Sequence, residues 1–193
     1  MHIGKSLLAC VLLSSLRDTL GYPGGAPAAA CVDMVPQHGA TAQNTTAPFS
    51  FQMGMSDTPL GNNSRVTLNL EVNKIEYFKG LLLQAREVGS NQAIGTFYIN
   101  ENNNIKYLTC GDEGSNNAVT HSSSDKKSSI EVDWEPDDDF EGDVQFVATV
   151  VKDAPIYWVA FKSDTFSVTG TGPGLTAASS LVVLVIGLLA LIK

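Results

Sequence analysis

Hydrophobic positions in the middle of the chain recur every second residue. Phe49, Phe51, Met53 and Met55 alternate with Ser50, Gln52 and Gly54, and Val66, Leu68, Leu70 and Val72 alternate with Thr67, Asn69 and Glu71. Successive side chains of a strand point to opposite faces, so each run predicts a strand with one buried face. Ile130, Val132 and Trp134 stand against Glu131, Asp133 and Glu135, and Val144, Phe146, Ala148 and Val150 follow. This pattern predicts a hairpin turning through Pro136 to Asp143. Tyr77 to Arg86 breaks the alternation with the continuous run Leu81-Leu82-Leu83, flanked by segments rich in Gly, Asn and Ser. A short unbroken apolar run of this kind predicts a strand buried on both faces. Ala93 to Ile99, Tyr107 to Cys110, Ile156 to Phe161 and Thr165 to Val168 complete a set of seven to nine strands. Asp57 to Asn63 reads as a turn, and Gly111 to Ser129 as a long polar loop. No long helical period and no internal repeat interrupt the pattern. It predicts an all-β, antiparallel β sandwich.

The two ends differ from this middle. Ser6 to Leu16 is apolar, too short to span a bilayer, and preceded by His2 and Lys5. Small residues at Thr19 and Gly21 suit cleavage before Tyr22, so residues 1–21 are expected to be a secretory signal peptide. Residues 169–193 hold a run of mostly small residues, Gly170 to Ser180, and an apolar tail from Leu181 to Ile192. That order matches a glycolipid-anchor signal with attachment at Gly170, where Thr171 and Gly172 keep the next positions small. Ser167 and Gly172 are alternative attachment sites. A single transmembrane helix is the competing reading. Residues 181–192 would rise roughly 18 Å, and a helix begun at Gly174 roughly 28 Å, against a hydrocarbon core of about 30 Å. No Lys or Arg cluster follows to hold a cytoplasmic end.

Residues 22–168 are left as one domain. Of twelve basic residues, Lys5, Arg17 and Lys193 lie in the terminal segments, and of twenty acidic ones Asp18 does; nine basic and nineteen acidic residues remain, a net charge of −10. Such a surface repels nucleic acid, so no nucleic-acid partner is expected. Cys10 leaves with the signal. Cys31 and Cys110 are then an even pair in an oxidising compartment and are expected to be bridged. Asn44-Thr45-Thr46 and Asn62-Asn63-Ser64 are glycosylation sequons at Asn44 and Asn62.

Catalytic and metal chemistry find little support. His38 and His121 lack cysteine partners for zinc once Cys31 and Cys110 pair, and read better as hydrogen-bonding loop residues. An EF-hand counted from Asp137 places Gly142 correctly but puts Ala148 where a bidentate Glu is required. Ser122, His121 and Asp125 carry no Gly-x-Ser-x-Gly elbow. No cofactor, metal site or catalytic residue is therefore expected. Trp134 is in phase with buried positions. In a sandwich Tyr157 and Trp158 are more often core packing, although their opposite faces allow one of them to be exposed for stacking on a sugar.

Several stretches carry a resemblance when taken in order. They are Tyr22-Pro23-Gly24-Gly25-Ala26-Pro27 with Cys31, Met34, Pro36, His38 and Gln43; Phe78 to Arg86; Gly95-Thr96-Phe97; Leu108-Thr109-Cys110; Asn117 to Ser122; Trp134 and Pro136; Gly142 and Val144 to Val151; and Tyr157-Trp158-Val159. Together they resemble the reeler (reelin N-terminal) domain over residues 22–168. The family includes small secreted insect defence proteins and the extracellular part of ferric-chelate reductase-like membrane proteins. The resemblance implies an immunoglobulin-like β sandwich and a Cys31–Cys110 disulfide. The multi-helix membrane part and haem histidines of the reductases are missing, so reductase activity is not expected. The apolar tail sets the chain apart from most insect members. The expected role is binding outside the cell, with microbial surface glycans or lipids as partners. The alternative is an adhesion module for a cell-surface or matrix protein. In either case the C-terminal tail would meet the membrane.

Overall fold

The computed structural model describes residues 22–55, 59–61, 64–100, 104–111 and 115–170. The expected signal peptide, Asn62 and the apolar tail lie outside these. Eleven strands and one 3₁₀ turn (Ala28–Ala30) occur among the described residues. The strands are β1 (Phe49–Met55), β2 (Leu60–Gly61), β3 (Val66–Val72), β4 (Gly80–Glu87), β5 (Thr96–Ile99), β6 (Ile105–Leu108), β7 (Ala118–His121), β8 (Ser129–Glu135), β9 (Gly142–Asp153), β10 (Ile156–Lys162) and β11 (Phe166–Thr169). The fold is an all-β sandwich of two sheets. One runs β1-β3-β8-β5. The other runs β2-β11-β9-β4-β7-β6, with β10 also paired to β9.

The alternating runs became strands where predicted, and their apolar positions form the interior. Val66, Leu68, Leu70, Ile130, Val132 and Trp134 face Leu81, Leu83, Ala85, Val144, Phe146 and Ala148 across the sandwich. Trp134 meets Phe146 edge-on at 5.7 Å and Phe166 at 6.0 Å. Such contacts add about 0.5–1.5 kcal/mol each beyond burial. The indole N–H donates to the Ile94 carbonyl at 3.0 Å, so this large ring is buried without an unpaired donor.

Four local expectations are corrected. The first is the hairpin through Pro136 to Asp143. β8 and β9 lie in different sheets, so this segment is a crossover between the layers. Each strand turns one apolar set into the same core, and that periodicity does not say which sheet a strand joins. The second is the polar loop Gly111 to Ser129, which contains β7. This strand inserts between β4 and β6, pairing Leu83 with Val119 and Tyr107 with Val119. Four residues are too few to show a period. The third is the turn Asp57 to Asn63, where Leu60 is buried and pairs in parallel with Val168, so the sheet is mixed. The fourth concerns Tyr157 and Trp158, which are both buried. Their two faces are covered by different things: the core on one side and the N-terminal segment on the other.

That segment explains the central strand. Leu81, Leu83 and Ala85 of β4 point into the sandwich. Leu82, Gln84 and Arg86 point outward, and residues 22–43 lie across them as a strap. A second small core of Ala30, Cys31, Met34, Leu82, Cys110, Ala118 and Val147 forms beneath it. The outer face of the four-stranded sheet is instead polar. Thr67 Oγ1 donates to Asp133 at 2.7 Å, Arg65 pairs with Glu135 at 2.6 Å, and Tyr98 OH donates to Glu135 at 2.6 Å.

A strapped apolar cleft

Pro23, Pro27 and Pro36 keep residues 22–43 out of helix and ladder. The strap is therefore held by side chains. The Ala26 N–H donates to Thr120 Oγ1 at 2.8 Å, and that hydroxyl donates to the Leu81 carbonyl at 2.7 Å. Thr149 Oγ1 donates to the Met34 carbonyl at 2.8 Å. The Gln43 N–H reaches the Tyr157 carbonyl at 2.8 Å, and Tyr157 OH donates to the Ala40 carbonyl. The 3₁₀ turn delivers Cys31 to Cys110, and the two are disulfide-bonded across 79 residues with Cα atoms 5.6 Å apart. On the chain-entropy model such a loop contributes about 4 kcal/mol.

Both histidines hold this strap by hydrogen bonds, His38 from within it and His121 from the end of β7 rather than from a loop. A carbonyl only accepts, so His38 Nδ1–H donates to Ala154 O at 2.9 Å and His121 Nε2–H donates to Tyr22 O at 2.9 Å. His121 Nδ1 accepts from the Leu81 N–H at 3.1 Å. Burial pushes the His121 pKa below the ordinary histidine value.

Between strap and sheet runs a cleft of about 280 Å³. Pro23, Ala26, Pro27, Ala30, Met34 and Pro36 form its roof, and Gly80, Leu82 and Val151 its floor. Gly80 opens the floor: a Cβ there would lie 3.0 Å from Val151 Cβ. Small, mainly apolar pockets with a few polar groups are the usual form of ligand sites. The polar lining includes Thr149, His121, Lys79 and Asp153. Lys79 pairs with Asp153 at 2.7 Å, and Tyr77 OH donates to the same carboxylate at 3.2 Å. The Lys79 bond holds the Asp153 pKa down, and the same bond raises that of Lys79. Lys126 lies 4.1 Å from the Tyr77 ring centroid, and Lys152 lies 5.5 Å from it. Nearby, the buried Lys127 ammonium donates to the carbonyls of Ser123, Asp125 and Lys79 at 2.9, 2.6 and 3.2 Å. Sequence reasoning missed this lysine cluster, whose members are scattered from Lys79 to Lys152. The only signal was that Lys126 and Lys127 are adjacent.

The other candidate residues fall elsewhere. His121 bonds neither Ser122 nor Asp125; Asp125 takes a hydrogen bond from Ser123 Oγ at 2.9 Å. In the acidic crossover, Asp137 accepts from the Gly95 N–H at 2.8 Å and Asp143 from Ser167 Oγ at 2.6 Å. Among the described residues, no three His, Cys, Asp or Glu are grouped to hold a metal ion. Asn44 is exposed, and Gly170 is half-buried against the Glu141 side chain. No helix among the described residues is long and apolar enough to cross a membrane.

A disulfide-bonded β sandwich with a strapped outer face is the form of an extracellular module, since disulfides persist in oxidising compartments. More particularly, the chain belongs to the reeler family: the Reeler domain model matches residues 29–173. It is 35% identical over 156 residues to Defense protein l(2)34Fc of Drosophila melanogaster, covering 79% of this chain and 90% of that protein. It is 37% identical over 174 residues to a Danio rerio protein named for ferric-chelate reductase, covering 90% of this chain but only 29% of that protein. The reeler domain of F-spondin has the same fold, with a TM-score of 0.54 at 19% identity, over 67% of this chain and 92% of that one.

Proposed function

We propose that this protein is an extracellular recognition module of innate defence that takes the apolar part of a microbial surface lipid into the strapped cleft. The observation that carries the reading is the cleft itself, an apolar slot of about 280 Å³ kept open by Gly80 and roofed by prolines. The surface beside it suits an anionic headgroup better than the net charge suggests, because Lys79, which lines the cleft, gathers with Lys126 and Lys152 round Tyr77. The insect relatives named for defence support the setting. A glycan on exposed Asn44 and a lipid anchor at Gly170 would leave the cleft free, since neither residue lines it.

The test is co-sedimentation of the purified protein with vesicles of phosphatidylglycerol, vesicles containing lipid A, and killed bacteria. Vesicles of phosphatidylcholine serve as control. Val151→Phe places a ring on the cleft floor. Wild-type binding to the anionic vesicles and bacteria, weakened about tenfold by Val151→Phe, supports the reading. Equal binding by the variant, or no wild-type binding, overturns it. In the latter case, retention on cells or matrix would favour adhesion.

A further inference from the structure

A second cavity, of about 300 Å³, lies on the same outer sheet face, on the far side of the disulfide from the strapped cleft. Its floor comes from three neighbouring strands. Arg86 of β4 is paired with Gln145 of β9, and Val147 of β9 with Lys162 of β10. At Ala160 the backbone adopts a positive φ of 50°, and the register shifts between Trp158 and Phe161. This bulge separates β10 from β9 beside the cavity.

The chemistry of the lining is donor-rich. Arg86 is 4% exposed. Its Nη2 donates to the carbonyls of Cys31 and Val32 at 2.7 and 3.3 Å, and its Nε to Gln84 Oε1 at 2.8 Å. Its Nη1 has only a long 3.4 Å contact, with Asn91 Oδ1. Among the described residues no carboxylate lies within ion-pair distance of this guanidinium. Burial lowers its pKa with no neighbouring charge offsetting the effect. A buried cation without a counter-ion is costly, and natural structures usually pair it. Gln145 is 6% exposed, and its amide makes no hydrogen bond to the described protein. Asn91 spends its oxygen on Arg86, which leaves its NH₂ to donate. Lys162 stands at the rim. The one carboxylate of the lining is Asp33, and it accepts from the Val35 N–H at 3.0 Å.

We propose that Arg86, Gln145, Asn91 and Lys162 form a binding site for one oxyanion group, a carboxylate or a phosphate, carried by an extracellular ligand. Arg86 Nη1 and the two amides supply hydrogen bonds, and Lys162 closes the site with a second positive charge. The two strap carbonyls fix the guanidinium plane, so the site is assembled only when the disulfide-linked segment is in place.

The test is the thermal midpoint and titration calorimetry of the protein as secreting cells make it. Phosphate, sulfate and acetate are compared with chloride at equal ionic strength. At tenfold excess over Kd, phosphate or acetate should raise the midpoint by about 3–5 °C in a saturable way. Gln145→Leu and Lys162→Met should each weaken binding about tenfold while leaving the chloride midpoint within about 2 °C. Preference for phosphate and sulfate would identify a tetrahedral ester, and preference for acetate a carboxylate-bearing ligand. No difference from chloride, or an undiminished response in both variants, overturns the proposal. Neither substitution touches the strapped cleft, so the result is independent of lipid binding.

Discussion

Gly25 and His121 meet where the strap crosses the sheet. Gly25 has φ +118°, and a Cβ on it would lie 2.6 Å from the His121 carbonyl oxygen and 2.9 Å from Thr120 Cγ2. Both the backbone conformation and the space demand glycine. Gly25→Ala should cost about 1–3 kcal/mol, read as a lower urea midpoint with an unchanged slope. His121 adds a pH dependence. Burial first, and then the nearby charges of Lys127 and Lys106, lower its pKa in the folded state, while the Leu81 and Tyr22 carbonyls act the other way. The unfolded chain therefore binds the extra proton more readily than the folded one. Stability should fall as pH drops through the ordinary histidine value of about 6.5, and level off below the folded value. Thermal midpoints from pH 8 to 5 check this. His121→Gln keeps a side-chain donor for Tyr22 and should flatten the curve. An unchanged slope in that variant would assign the pH dependence to other groups.

At the level of elements, two cores lie on opposite faces of β4, and the one disulfide sits in the smaller core beneath the strap. Replacing Cys31 and Cys110 by Ser should cost about 2–5 kcal/mol. The loss should be uneven: proteolysis within residues 22–43 should accelerate, while amide protection in β3 and β8 is retained. Phe146 belongs to the other core, where it touches Phe97, Trp134 and Phe166. Phe146→Ala should cost about 3–5 kcal/mol and lower protection in both sheets together.

Over the whole molecule, charge is unevenly placed. Residues 22–170 carry a net −10, yet Lys79, Lys126 and Lys152 surround one phenol ring beside the cleft, with Asp153 among them. Their exposed charges would act on the encounter rate more than on stability. Lys126→Glu with Lys152→Glu should slow association with anionic vesicles several-fold at low salt, with little effect at about 0.5 M salt. The unfolding midpoint should barely change. Stopped-flow measurement at two ionic strengths separates the two effects.

Much of this molecule was legible along the chain. Period-two alternation marked β1, β3 and β8, because a half-buried strand must place every second side chain in the core, whereas β9 is buried on both faces and was marked by its core-facing set Val144, Phe146, Ala148 and Val150. The unbroken run around Leu81 to Leu83 correctly announced two buried faces, and with Cys10 set aside in the expected signal peptide, Cys31 and Cys110 allowed one bridge. Local pattern could not show what buries the second face, since proline-rich residues 22–43 have no period of their own. Nor could it show β7, which is too short, or the crossover at Pro136, since sheet membership is set by which edges pair. The cleft, the lysines around Tyr77 and the guanidinium of Arg86 beside Gln145 were decided by tertiary structure alone. Each joins residues far apart in sequence whose meeting depends on strand order and on the strap being bound down.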